Sequence, residues 1–292
     1  MFTGTYTAIV TPFRQGKVDE EALARLIRAQ IKGGVSGIIP MGTTGESPTL
    51  DYDEHIRVVE LAVQIADGRI PVLAGSGANS TREAIELTQR AEAVGAQGSL
   101  QVAPYYNKPS QEGLYQHFKA IAKNSGLPLM LYSIPGRCGI EIAVDTVSRL
   151  ASDCRTIVSI KEAGGSCDRV SQLRAALPGK FTILSGDDSL TLPFMSVGAS
   201  GVVSVASNVA PKWVSQMVQL YLKGDLKGAQ KLHQKLYPLF KNLFVETNPA
   251  PVKAALALMG QIEDGLRLPL VPATENARKI VKKTLQDLGL LR

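Results

Sequence analysis

Short, continuously apolar runs alternate along this chain with longer stretches in which apolar residues return every three or four positions. The apolar runs cover residues 5–10, 37–41, 71–75, 98–103, 128–133, 157–161, 181–184 and 201–205. Little polar alternation interrupts them, as expected of parallel strands covered on both faces. Between them the helical period predicts helices over residues 20–32, 51–66, 82–94, 112–124, 144–151 and 211–223. Ser80 followed by Glu83 has the form of a capping box, and Gly95, Gly179, Gly198 and Gly224 stand where helices are expected to stop.

This alternation predicts an α/β protein, a closed (β/α)8 TIM barrel over residues 1–224, an architecture that typically takes about 250 residues. The competing architecture is a doubly wound sheet with a phosphate-binding fingerprint after an early strand. Gly75-Ser76-Gly77-Ala78-Asn79-Ser80 lacks the third glycine of that fingerprint. Beyond residue 224 only helical periodicity continues, so residues 225–292 are expected to form a C-terminal helical extension packed on the barrel.

Composition narrows the class. With 45% hydrophobic and 20% charged residues among 292, and a mean hydropathy of +0.05, the chain has the make-up of a soluble globular protein. No apolar run approaches the roughly 18 residues of a membrane span, and the start lacks the basic region of a secretory signal, so a cytoplasmic protein without membrane partners is expected. Cys138, Cys154 and Cys167 are an odd, unclustered set, which argues against a disulfide framework. The net charge of +6 is concentrated in Arg278, Lys279, Lys282, Lys283 and Arg292 on a terminal helix, a pattern that predicts a solvated face and no nucleic-acid patch. His55, His117 and His233 form no ligand pair and are expected on helix surfaces, so no metal site is expected.

In a barrel, chemistry gathers at the C-terminal ends of the strands. There the chain places Gly42-Thr43-Thr44-Gly45-Glu46-Ser47, Pro104-Tyr105-Tyr106-Asn107, Tyr132-Ser133-Ile134-Pro135-Gly136-Arg137 and, closing an apolar strand, Lys161. Desolvation at a strand end favours the neutral, nucleophilic amine of Lys161; on its strand alone, a stem snorkelling to solvent is an equal reading. The Gly/Thr turn is either a turn and no more or a cradle whose N–H groups meet a carboxylate. Tyr132 is either a core aromatic or a proton carrier, and Arg137 either a surface ion-pair partner or a two-pronged carboxylate clamp. Together, an amine, phenols, a threonine hydroxyl and an anion-binding arginine describe imine chemistry on a keto acid.

These stretches also occur together in one family. Through Gly42-Thr43-Thr44-Gly45-Glu46, Pro104-Tyr105-Tyr106-Asn107-Lys108-Pro109, Gln111-Glu112-Gly113-Leu114-Tyr115, Ile160-Lys161-Glu162-Ala163, Ser185-Gly186-Asp187-Asp188 and Asn248-Pro249-Ala250-Pro251-Val252-Lys253, the chain resembles, nearly end to end, the dihydrodipicolinate synthase family of pyruvate-dependent class I aldolases. The resemblance implies a lyase of diaminopimelate and L-lysine biosynthesis that condenses pyruvate with L-aspartate 4-semialdehyde and needs no cofactor. Lys161 would form the imine, Tyr132 would assist it, and Thr43 would link Tyr132 to Tyr106 from a neighbouring subunit of a homotetramer. Thr44 would hold the pyruvate carboxylate near Gly186 and the Val203 carbonyl, and Arg137 would receive the semialdehyde. The family's lysine feedback site maps to Ser47, Pro48, Tyr52, His55, Asn79, Glu83 and Tyr105. Ser133, Cys138 and Gly164 depart from the usual residues. The alternative is a related aldolase of the N-acetylneuraminate lyase or keto-deoxy sugar acid type, against which Arg137 and the Thr43-Thr44 pair speak; a barrel that only binds ligands is a third reading.

Overall fold

The computed structural model describes residues 2–291; Arg292 of the basic terminal cluster lies outside them. Eight parallel strands form the sheet: β1 (Gly4–Ala8), β2 (Gly37–Ile39), β3 (Leu73–Gly75), β4 (Gly98–Val102), β5 (Leu129–Ser133), β6 (Ile157–Glu162), β7 (Thr182–Ser185) and β8 (Gly201–Ser204). Neighbours run in the order β2-β1-β8-β7-β6-β5-β4-β3, and a parallel bridge between Ile38 and Val72 joins the two ends into a barrel. Every apolar run is a strand, so the doubly wound alternative falls. The two-stranded hairpin of Phe13–Arg14 with Lys17–Val18 lies outside the barrel and is too short to leave a periodic signal.

Helices α1 (Glu20–Lys32), α2 (Tyr52–Ala66), α3 (Thr81–Ala93), α4 (Gln111–Lys123), α5 (Val144–Asp153), α6 (Cys167–Ala176), α7 (Thr191–Ser196) and α8 (Pro211–Leu222) surround the strands. Periodicity did not mark α6 and α7. In α6 the buried face includes Arg169 beside Val170 and Leu173, and α7 spans six residues with a proline among them. The extension adds α9 (Leu226–Asn242), α10 (Ala250–Leu258) and α11 (Glu275–Asp287). Their buried Leu236, Leu239, Phe240, Val252, Leu256, Val281 and Leu285 merge with the apolar layer between strands and helices. A separate cluster of Tyr6, Ile39, Leu73, Leu100, Met130, Leu184 and Val203 fills the barrel interior, so the barrel is a packed core, open to chemistry only at its mouth.

Three expectations need correction. Gly95, Gly198 and Gly224 do adopt left-handed conformations after helices, but Gly179 does not, because α6 already ends in extended backbone at Leu177 ahead of Pro178. The capping box is half formed: the Ser80 hydroxyl accepts from the Glu83 N–H at 3.5 Å, while the Glu83 carboxylate faces the Tyr52 hydroxyl. His55 and His117 are not surface residues; they sit on the buried faces of α2 and α4, where burial pushes both imidazoles down to about 4. The terminal helix does present a solvated charged face, with Lys279 to Glu275 and Lys283 to Asp287 paired one turn apart.

Candidate active site

Parallel pairing puts Tyr132 of β5 beside Lys161 of β6, and Lys161 beside Leu184 of β7, all facing the barrel interior. The Lys161 side chain is only 6% exposed, and its Nζ lies 4.0 Å from the centre of the Tyr132 ring. Burial draws its pKa from 10.5 to about 7; Asp188 opposes that shift and Arg137 adds to it. The Lys161 snorkelling reading therefore fails: the stem runs inward, away from solvent. Room for it comes from Gly186, where a Cβ would meet Lys161 Cε at 3.1 Å and Ala163 Cβ at 2.7 Å. Tyr132 is held protonated by the same burial, and Thr43 lies with it on the wall of the mouth.

Asp188 closes the motif Ser185-Gly186-Asp187-Asp188, and its sequence context alone assigns it no role. Its buried carboxylate accepts from the Ser204 hydroxyl and, at 2.9 Å each, from the N–H groups of Val205 and Ala206. It thereby ties the segment after β7 to the end of β8, where Val203 is packed against the interior cluster. Its negative charge also acts on the buried Lys161 amine, favouring the ammonium form.

The Gly42–Ser47 turn is closed on itself, Gly42 O accepting from Gly45 and Ser47 and Thr43 O from Glu46. Its far end is anchored by Glu46, whose side chain and that of Lys253 are fully buried as an ion pair. Lys253 also donates to Gly265 O at 2.8 Å, and the Arg267 N–H donates to the second Glu46 oxygen at 3.1 Å. Thr44 is buried within this frame. Its hydroxyl accepts from Asn248 Nδ2 at 3.0 Å, and the carbonyl of the same asparagine accepts from Arg137 Nη2 at 3.1 Å. Arg137 itself is carried on the single helical turn Pro135–Cys138. Asn248, like Asp188, was missed as a functional residue; its place in the Asn248-to-Lys253 motif was the available signal.

A cavity of about 210 Å³ opens at the mouth, bounded by Thr43, Tyr132, Ile134, Arg137 and Cys138, and the Tyr132 ring on its wall is the one against which Lys161 packs. Thr43, Tyr132 and Arg137 line the cavity directly; Lys161 packs on Tyr132 with Gly186 beside its stem, Thr44 is joined to Arg137 through Asn248, and Val203 shares the interior cluster with Tyr132. Tyr106 does not join them: it is 90% exposed and leaves the site of its own chain. Next to this cavity is a second, of about 200 Å³, lined by Ser47, Pro48, Tyr52, His55, Glu83 and Tyr105. Asn79 stands at its edge, donating to Tyr105 O at 3.2 Å.

The three departures have local explanations. Ser133 is buried and its hydroxyl accepts from the Ile142 N–H at 3.4 Å. The Cys138 thiol donates to Ala103 O at 3.2 Å, and burial pushes its pKa up to about 11, so it is a spacer with no thiolate character. At Gly164 a Cβ would sit 2.7 Å from Glu162 Oε1, an oxygen already engaged by the Gly164 N–H.

The profile described as "Dihydrodipicolinate synthetase family" matches residues 1–288. A protein named 4-hydroxy-tetrahydrodipicolinate synthase from Leptospira biflexa is 51% identical, with the whole of both chains aligned. The solved structure of the 4-hydroxy-tetrahydrodipicolinate synthase from Methylacidiphilum fumariolicum SolV superposes with a TM-score of 0.98 at 58% identity, covering 99% of this chain and 96% of that one. A dihydrodipicolinate synthase variant described as monomeric superposes with a TM-score of 0.97 at 46% identity, over 99% and 98% of the two chains.

Proposed function

The chain belongs to the dihydrodipicolinate synthetase family, and from that premise we propose that it condenses pyruvate with L-aspartate 4-semialdehyde by Schiff-base catalysis at Lys161. The observation that carries the reading is the buried Lys161 amine, drawn down to about 7 and packed on Tyr132, which shares the wall of the mouth with Thr43. Such an amine is substantially neutral near pH 7 and attacks C2 of pyruvate. Tyr132 and Thr43 move the protons that convert the carbinolamine to the imine with loss of water, and then remove a C3 proton to give the enamine. Enamine C3 attacks the aldehyde carbon, whose oxygen takes up a proton. The substrate's own amine then adds at C2 and displaces Lys161 Nζ, which closes the ring and frees the enzyme.

Two carboxylates need holding. Thr44, with Gly186 and the Val203 carbonyl beside it, is assigned to pyruvate, and Arg137 to the semialdehyde. Residues 1–224 serve as the catalytic barrel and residues 225–292 as an extension packed on it, with the Glu46–Lys253 pair and Asn248 as its contacts to the mouth. Tyr106 is assigned to the site of a second copy within a homotetramer made of two tight dimers, because its exposure leaves the relay from Tyr132 through Thr43 without a third hydroxyl in one chain. The second cavity is assigned to L-lysine, whose ammonium would meet Glu83 and Asn79. A cytoplasmic location fits this role; among the described residues no helix is long and apolar enough to cross a membrane.

Borohydride added with pyruvate tests the chemistry. Peptide mass analysis should find the reduced pyruvyl adduct on Lys161 and no turnover in Lys161→Ala. An adduct on another lysine, or none, overturns the mechanism. Turnover with sugar-acid aldehydes in place of the semialdehyde would move the chain to the lyase branch.

A further inference from the structure

Asn248 lies between α9 and α10, outside the barrel strands, yet it touches both groups assigned to the substrate carboxylates. It is 5% exposed, and its Oδ1 is buried with no hydrogen-bond partner among the described residues. The polarity of its bond to Thr44 matters. A threonine hydroxyl has one proton to give, and an amide N–H bound to its lone pair leaves that proton for another acceptor. On the far side, the Asn248 carbonyl fixes one Nη2 proton of Arg137 and so orients the remaining guanidinium N–H groups.

Resting on the reading of Thr44 and Arg137 as the carboxylate holders, we propose that Asn248 is a positioning residue: it makes the Thr44 hydroxyl a committed donor toward the pyruvate carboxylate and sets the spacing between the Thr44 and Arg137 sites. The separation of the two substrates at the barrel mouth is then defined by the extension as well as by the barrel. The bond to Arg137 uses the main-chain carbonyl, which any residue at 248 would keep; what the asparagine side chain adds is a buried N–H donor to Thr44. Aspartate has nearly the same shape but, ionised, only accepts. It would take the Thr44 proton and turn the donor away from pyruvate.

The experiment is a thermodynamic cycle on pyruvate capture, read as the pyruvate concentration giving half-maximal borohydride trapping on Lys161. Asn248→Asp should raise that concentration about tenfold or more, the loss expected for one hydrogen bond to a charged group. Asn248→Leu, which removes the donor without adding charge, should move it in the same direction. In a Thr44→Val background, Asn248→Asp should have little further effect, because the hydroxyl it acts through is gone. An unchanged half-maximal concentration in both single variants overturns the proposal. So does a full effect of Asn248→Asp in the Thr44→Val background, which would signal charge repulsion acting directly on pyruvate. Loss of fold in Asn248→Leu leaves Asn248→Asp and the cycle to decide, and loss of fold in both single variants would make Asn248 structural and also overturn the proposal. Absence of any adduct on wild-type Lys161 overturns the reading of the site and this proposal together, whereas a normal wild-type adduct with an unaltered variant overturns the role of Asn248 alone.

Discussion

A lysine amine attacks a carbonyl only after it has lost its proton, which an ordinary lysine keeps until about pH 10. Lys161 is relieved of that constraint by burial, and the groups facing it decide how far: the Tyr132 ring from β5, Arg137 from the turn after β5, and Asp188 from the segment after β7. Asp188 is itself raised to about 6 by burial and partly restrained by its three donors, so the amine and the carboxylate both titrate close to neutrality. Above that range the carboxylate is charged and favours the ammonium form of Lys161. Removing the charge in Asp188→Asn should therefore lower the pKa of Lys161 and move the acidic limb of kcat/KM for pyruvate to lower pH, while the three donors lose part of their acceptor. A pH–rate profile checks this. A variant that is slower at every pH with the limb in its original place would make Asp188 a clamp for the end of β8 and nothing else.

At the scale of elements, the mouth is assembled where pieces distant in sequence meet. The Gly42–Ser47 turn follows β2, yet its anchor Glu46 pairs with Lys253, which is 207 positions away. Both stretches could be picked out in the sequence as motifs; their pairing could not, since a single chain carries no sign of which charge faces which. Strands were legible because each is a short apolar run covered on two sides. The α6 helix was not, because Arg169 occupies its buried face to pair with Glu162 at 2.9 Å, and a buried charge spoils the period by which helices are found. Glu83 shows the same limit: read as half of a capping box, it turns from α3 toward Tyr52 on α2 and lines the second cavity. If that cavity takes L-lysine, activity should fall as L-lysine rises into the millimolar range, and Glu83→Gln, which keeps the shape but not the charge, should blunt the fall. A flat activity curve for the unaltered protein removes the regulatory assignment and leaves Glu83 as a partner of Tyr52.

At the scale of the whole molecule, one residue does not fit a self-sufficient chain. Tyr106 is held at φ +74°, a left-handed conformation that costs a tyrosine energy, and that backbone directs its ring outward to 90% exposure beside the half-exposed Tyr105. Ring and strain both make sense if the hydroxyl completes the Thr43–Tyr132 relay of a second copy. A two-fold interface makes the exchange mutual, each chain supplying the tyrosine that the other lacks. Lys161→Ala and Tyr106→Ala should then each be nearly inactive alone, for different reasons. Dissociated and mixed in equal amounts, they form mixed dimers that contain one site with an intact lysine and an intact incoming tyrosine. Random pairing puts half of the chains into such dimers, so activity should recover to about one quarter of the unaltered protein's value. Recovery requires that the two residues act from different chains. No recovery, with mixed dimers demonstrated by native mass spectrometry, would place Tyr106 and Lys161 in the service of the same chain.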